Sequence, residues 1–269
     1  MRRSIDDCGS HFTDALRQRQ IRDGIYRVMK TQIGGKTCYI YDCGSSDVLL
    51  IQPVDDHDLE VLDSEVAEIG RLAEGKGFTL AAFKVDDWNA DLSPWEAPPV
   101  FGSEGFAGGS EATLKYVTDQ LIPQLTGGPD AGSDSRTEAR PLINKDAKVF
   151  IGGYSLAGFF ALWAVYQTDL FSGAAAASPS VWFPGWIDYA EKHALKAGRV
   201  YLSLGDREEK TKNPVMRTVG DNIRRQYEIL QGDPACEKCI LEMNQGNHFK
   251  EPDIRTAKGF AWLLKENCK

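Results

Sequence analysis

The sequence lacks any apolar run near the roughly 20 residues that a membrane-spanning helix requires. Its opening, Met1-Arg2-Arg3-Ser4-Ile5-Asp6-Asp7, turns acidic where a secretion signal would need an apolar segment, so a cytoplasmic protein without a membrane partner is expected. An excess of positive charge is also missing: 31 Lys and Arg face 39 Asp and Glu, a net charge of −8. The attraction that dominates binding to a phosphate backbone is therefore absent, and nucleic acid is not an expected partner.

Cysteine is present but without the pattern that would give it a role. Six are spread over positions 8, 38, 43, 236, 239 and 268, and in a chain of this length without an export signal they are expected to stay reduced. Cys236 and Cys239 form a CxxC, yet no second CxxC supplies the other half of a closed zinc site. The pair precedes the strand-like Ile240 to Met243 rather than opening a helix, which argues against thioredoxin-like chemistry. Two loop thiols are expected, and neither a metal nor an organic cofactor.

What is present is a chain of 269 residues with 42% hydrophobic content, enough for one large core. Residues 1–22 read as an N-terminal arm with a weak helical pattern from Phe12 to Ile21, and 23–269 as a single domain without a large separate cap. Ile25 to Met29 and Thr37 to Tyr41, separated by Gly34-Gly35-Lys36, predict a hairpin. Val48 to Ile51 is a continuous apolar run of the kind buried on both faces of a sheet.

From there helices and strands alternate. Helical patterns near 59–75, 110–125, 156–167, 186–196, 213–230 and 253–266 are interleaved with strands near 78–83, 147–151, 173–177, 200–204 and 239–243. The fold class is α/β: a mostly parallel sheet covered on both faces, with an antiparallel N-terminal hairpin and reactive groups at the carboxyl ends of the strands. Two segments break the rhythm. Residues 127–140 have the composition of an exposed loop, and 86–108, with Trp88, Trp95 and Phe101, is long and aromatic enough to wall a site.

The densest chemistry lies in Gly153-Tyr154-Ser155-Leu156-Ala157-Gly158. A serine that attacks a carbonyl must project from a sharp strand-to-helix turn, and such a turn tolerates only small residues two before and two after it. Gly153 and Ala157 meet that need, with alanine where glycine is usual, and Phe150-Ile151 and Phe159 to Ala164 supply the strand and the helix. The competing reading, Ser155 as a simple helix cap, leaves the downstream residues unexplained.

Histidine is scarce, with only His11, His57, His193 and His248 available. His248 alone falls in a loop, Gln245 to Phe249, between the last strand and the last helix, where it can reach the elbow as general base. Between Ser155 and His248 the turn Gly205-Asp206-Arg207-Glu208-Glu209 offers three carboxylates that could orient the histidine and stabilise the imidazolium.

With these residues in hand the sequence resembles the esterase family of α/β hydrolases that includes enterobactin-type siderophore esterases, feruloyl esterases and S-formylglutathione hydrolases. The likeness runs from about Val48 to the C-terminus. It is carried by Gly-Tyr-Ser-Leu-Ala-Gly, Ser178-Pro179-Ser180-Val181-Trp182, Gly-Asp-Arg-Glu-Glu and Gly246-Asn247-His248. The resemblance implies the α/β-hydrolase fold, and it favours Glu208 over Asp206 and Glu209 as the acid. It also implies an oxyanion hole from the Leu156 N–H and a second N–H in the loop Gln52 to Asp56, where Pro53 has none to give and Gln52 or Val54 remains.

The chemistry expected is cleavage of a small-molecule carboxylic ester through an acyl-enzyme, with Trp95 and Trp182 as candidate substrate contacts. Two other uses of the same fold are acyl transfer to an alcohol and a catalytically inactive binding module.

Overall fold

The computed structural model describes residues 17–21, 24–100, 102–127 and 141–267. Strand β1 (Arg17–Ile21) pairs antiparallel with β2 (Gly24–Ile33), so these five residues join the sheet instead of extending a helix, and the rest of the expected arm helix lies outside the described residues. Gly34 and Gly35, at φ 55° and 82°, make the turn from β2 into β3 (Lys36–Val54). Two consecutive positive φ values suit a hairpin turn that matches the twist of its strands.

β3 bends near Gly44, which sits at φ 89°. Its first half pairs with β4 (Phe78–Lys84) with partner numbers falling, Tyr39 opposite Ala82 and Tyr41 opposite Leu80; along its second half they rise, Leu49 opposite Thr79 and Ile51 opposite Ala81. β3 therefore flanks β4 on both sides, antiparallel and then parallel. The second half continues into the parallel series β7 (Lys148–Tyr154), β8 (Gly173–Ala177), β9 (Arg199–Gly205) and β10 (Lys238–Asn244). Between β4 and β7, a small hairpin of β5 (Glu96–Ala97) and β6 (Phe106–Ala107) stands apart from the main sheet.

Side chains of β3 alternate between two apolar layers. Val48, Leu50 and Val54 pack with Leu62, Val66 and Ile69 of α1 (Asp56–Leu72) and with Phe260, Leu263 and Leu264 of α8 (Pro252–Glu266). Leu49 and Ile51 face the opposite layer, formed by α3 (Ser110–Tyr116), α5 (Ser155–Gln167) and α7 (Val219–Gly232). Every residue of α5 from Leu156 to Tyr166 is buried, as expected of a helix that is apolar all round. Two short helices, α2 (Trp88–Asp91) and α6 (Trp186–Ala190), lie in the connections that follow β4 and β8.

Three helical expectations are modified. The helix beginning at Ser110 passes through a wider turn, Val117–Leu121, before α4 (Ile122–Thr126), with the Ile122 N–H donating to Val117 O. Pro123 cannot donate to the preceding turn, and a π-type turn accommodates the gap. The helix from Trp186 stops at Ala190, because Leu195 N–H donates to Asp233 Oδ2 at 2.8 Å and Lys196 N–H to Val165 O at 2.9 Å, drawing the chain onto its neighbours. The segment from Asn213 first makes a short 3₁₀ turn, Met216–Thr218, and only then α7. Among the described residues no helix is long and apolar enough to cross a membrane.

Candidate active site

β7 ends at Tyr154 and α5 begins at Ser155, which takes φ 55°, a left-handed conformation strained for any residue with a Cβ. That strain turns Oγ out of the strand-to-helix corner. The corner is as tight as the small-residue rule predicts: a Cβ on Gly153 would meet the Ala157 Cβ at 2.7 Å, and one on Gly158 would meet Gly153 O at 2.7 Å.

Over this corner the structure brings together three residues from three strand ends. His248, after β10, places Nε2 3.0 Å from Ser155 Oγ, and its Nδ1 lies 2.7 Å from Glu208 Oε2. Glu208, in the turn after β9, has Oε1 accepting from Gly205 N–H at 2.7 Å, Ser178 Oγ at 2.8 Å and Arg255 Nη1 at 3.0 Å. Burial alone would raise the Glu208 pKa, but the hydrogen bond and charge of His248, with the bonds from Gly205 and Ser178, outweigh it and hold the carboxyl below its usual range. The other two carboxylates of the turn go elsewhere. Asp206 Oδ1 accepts from Gly246 N–H at 2.8 Å, and Glu209 pairs with Arg224 at 3.0 Å.

Of the other described histidines, neither converges on Ser155. His57 lies in α1, and the ring of His193 stacks on Tyr189 at 3.8 Å, while His11 is outside the described residues.

Residues on either side of the serine contribute contacts that the sequence alone did not suggest. The Ser155 carbonyl accepts from Ser180 N–H at 3.1 Å, and the two hydroxyls lie 3.4 Å apart. Tyr154 OH donates to the His248 carbonyl at 2.6 Å. Thus the Ser178-Pro179-Ser180 turn touches the acid with its first residue and the serine with its third. Its motif was visible in sequence; its two-ended contact was not.

The segment Gln52 to Asp56 departs from the expected loop. Gln52, Pro53 and Val54 belong to β3, and α1 starts at Asp56, because Asp55 and Asp58 form a reciprocal capping box: Asp58 N–H donates to Asp55 Oδ1 at 2.9 Å and Asp55 N–H to Asp58 Oδ2 at 3.1 Å. Pro53, expected in a loop, lies in β3 beyond Ile51, where the pairing with β7 has ended and a residue without an N–H is accommodated. Gln52 and Val54 are both buried, and the Gln52 side chain lies beside Glu65 of α1. Leu156 lies in the first turn of α5, where backbone N–H groups have no partner within the helix.

The long aromatic segment docks against the turn that follows β8. Trp95 Nε1 donates to Pro184 O at 2.8 Å and its ring packs against Phe183 and Tyr189, while Trp182 is buried against Phe106 and Phe183. Both tryptophans are occupied in packing this wall. Phe101 and residues 128–140 lie outside the described residues. Cys236 and Cys239 are partly buried free thiols, and burial pushes the Cys236 pKa up to about 12. Among the described residues no group of His, Cys, Asp and Glu is arranged to hold a metal ion.

A bent sheet in this order, with a positive-φ serine between its central strand and the next helix, is the α/β-hydrolase fold. Solved structures of that fold are similar along nearly the whole chain. The siderophore hydrolase EstA from Aspergillus nidulans is 17% identical with a TM-score of 0.64, covering 94% of this chain and 95% of its own. The siderophore hydrolase EstB from Aspergillus nidulans is 15% identical with a TM-score of 0.65, covering 91% and 96%. The enterobactin and salmochelin hydrolase IroE is 14% identical with a TM-score of 0.56, covering 88% and 94%. No protein-family model and no curated protein sequence matches the chain.

Proposed function

We propose that this protein is a serine hydrolase that cleaves a small-molecule carboxylic ester through an acyl-enzyme. The observation that carries the reading is the continuous relay from Ser155 Oγ to His248 Nε2 at 3.0 Å and from His248 Nδ1 to Glu208 Oε2 at 2.7 Å. His248 takes the Ser155 proton as Oγ attacks the ester carbonyl, then gives it to the departing alcohol. Water, deprotonated by the same imidazole, releases the acid. Glu208, ionised and buried, keeps the Nδ1 proton in place and stabilises the imidazolium. The Leu156 N–H is one oxyanion donor, and either Val54 or Gln52, at the end of β3, supplies the second.

A fluorophosphonate probe is expected to label the wild type and not Ser155→Ala, and labelling retained by Ser155→Ala would overturn the reading. Hydrolysis of short-chain nitrophenyl esters should fall on the order of 10⁶-fold in Ser155→Ala and in His248→Ala. A siderophore ester belongs in the substrate panel because structures similar to this chain are siderophore hydrolases. Product analysis with added alcohols separates hydrolysis from acyl transfer.

A further inference from the structure

Arg255 projects from the first turn of α8, seven residues after His248, and is 2% exposed. Its Nη1 donates to Glu208 Oε1 at 3.0 Å, Tyr154 OH at 3.1 Å and Ser178 Oγ at 3.2 Å. Its Nη2 donates to the carbonyls of Asn247 at 3.0 Å and Gln245 at 3.3 Å. Nη1 carries two hydrogens for its three acceptors, so one of its N–H groups is shared between two of them. The Ser178 hydroxyl uses its own hydrogen on Glu208 and that of Tyr154 goes to the His248 carbonyl, so both oxygens accept from Arg255 through lone pairs. A buried ion pair usually contributes little to stability compared with apolar packing of the same volume. What this guanidinium does provide is a planar fork joining the carboxylate to the backbone of the histidine loop.

The geometry points to Arg255 as a positioning residue, a clamp that locks Glu208 Oε1 and the Gln245–His248 loop together so that Oε2 meets Nδ1 and Nε2 meets Ser155 Oγ. Its effect on turnover rests on the serine-hydrolase reading above; its effect on His248 does not. The clamp also sets the charge around the imidazole. Glu208 approaches from the turn after β9, Tyr154 and Ser155 from the end of β7, and Phe249 from the loop itself; Asp206 and Lys250 flank that loop, bonded to Gly246 N–H and the Gln245 side chain. Burial and the Glu208 charge push the Tyr154 pKa up to about 12, so Tyr154 stays neutral at working pH. Arg255 is the buried cation of the set.

The test compares Arg255→Met and Arg255→Lys in the full chain, with active sites counted by fluorophosphonate labelling. kcat per labelled site should fall about 100-fold in both variants, because a lysine keeps the charge but not the fork, while KM changes little. In both variants the downfield NMR signal of the His248 Nδ1 proton that bridges to Glu208 should be lost to solvent exchange, because Glu208 is no longer held against the histidine loop. A wild-type kcat per site together with a retained Nδ1 proton signal in Arg255→Met overturns the clamp, whatever happens to thermal stability. If Arg255→Met does not fold, a wild-type kcat per site in Arg255→Lys overturns it equally. Absence of any ester hydrolysis by the wild type, with the Nδ1 proton signal present in the wild type and lost in Arg255→Met, removes the hydrolase reading and leaves the clamp standing.

Discussion

Three carboxylates share the turn after β9, and their surroundings separate them completely. Glu208 is 8% exposed and faces His248, whereas Asp206 holds a backbone N–H and Glu209 a surface arginine. Glu208→Gln should therefore lower kcat on the order of 10⁴-fold by allowing the wrong imidazole tautomer, while Asp206→Asn and Glu209→Gln stay within about 10-fold; steady-state kinetics on one nitrophenyl ester ranks the three. The same residue couples activity to acid stability. Its folded pKa is depressed, so its stabilising contribution is complete above the ordinary carboxyl pKa and is lost as pH falls through the lower folded value. Urea midpoints measured from neutral pH down through that window should fall more steeply for the wild type than for Glu208→Gln.

Serine, histidine and a choice of three acids were legible because each falls at a strand end in a chain with only four histidines. Arg255 was not legible. Nothing local distinguishes it from an ordinary polar residue of an amphipathic helix, and its partners lie as far away as Tyr154 and Ser178.

At the scale of elements, the elbow shows how one substitution from the usual pattern constrains its neighbour. Ala157 occupies the space facing Gly153, so its methyl group makes Gly153 indispensable. Gly153→Ala should destabilise the protein by about 1–3 kcal/mol through overpacking and reduce fluorophosphonate labelling, whereas Ala157→Gly should preserve labelling. Helix α1 carries the opposite kind of tension. Glu65 is buried against Gln52, and burial followed by the nearby charges of Asp58 and Asp253 holds its pKa well above the ordinary value. A raised carboxyl binds its proton more tightly when folded, so stability falls as pH rises from the unfolded pKa towards the folded one. Glu65→Gln should raise Tm at neutral pH and leave it nearly unchanged near pH 4.

Helix α1 was also where the element reading failed most instructively. Asp55-Asp56-His57-Asp58 and the preceding proline look like a loop, yet the two aspartates complete a capping box that starts a helix directly from the strand. Elements with a clear apolar period, such as β8 and α5, were legible because burial alone dictates them. Those whose limits depend on distant hydrogen bonds, such as α6, were not.

Across the whole molecule, a mostly parallel sheet was readable from the alternation of strands with helices, but the path of β3 was not. A run interrupted by Cys43-Gly44-Ser45-Ser46-Asp47 suggests two separate strands, and only the register reveals one bent strand on both sides of β4. The bend depends on a close approach: a Cβ on Gly77 would lie 2.8 Å from the carbonyl group of Gly44. Gly77→Ala should lower the urea midpoint with little change in fluorophosphonate labelling of the protein that remains folded.

Enclosure of β4 by a single partner strand has a kinetic counterpart. Each of its amides faces one half of β3 or the other, and the bend ties those halves into one cooperative unit. Hydrogen exchange at Leu80, Ala81 and Ala82 should therefore report global unfolding, with exchange free energies equal to the full stability of the domain. Edge strands β1 and β10 should open well below that limit, making β4 the slowest clock in the protein.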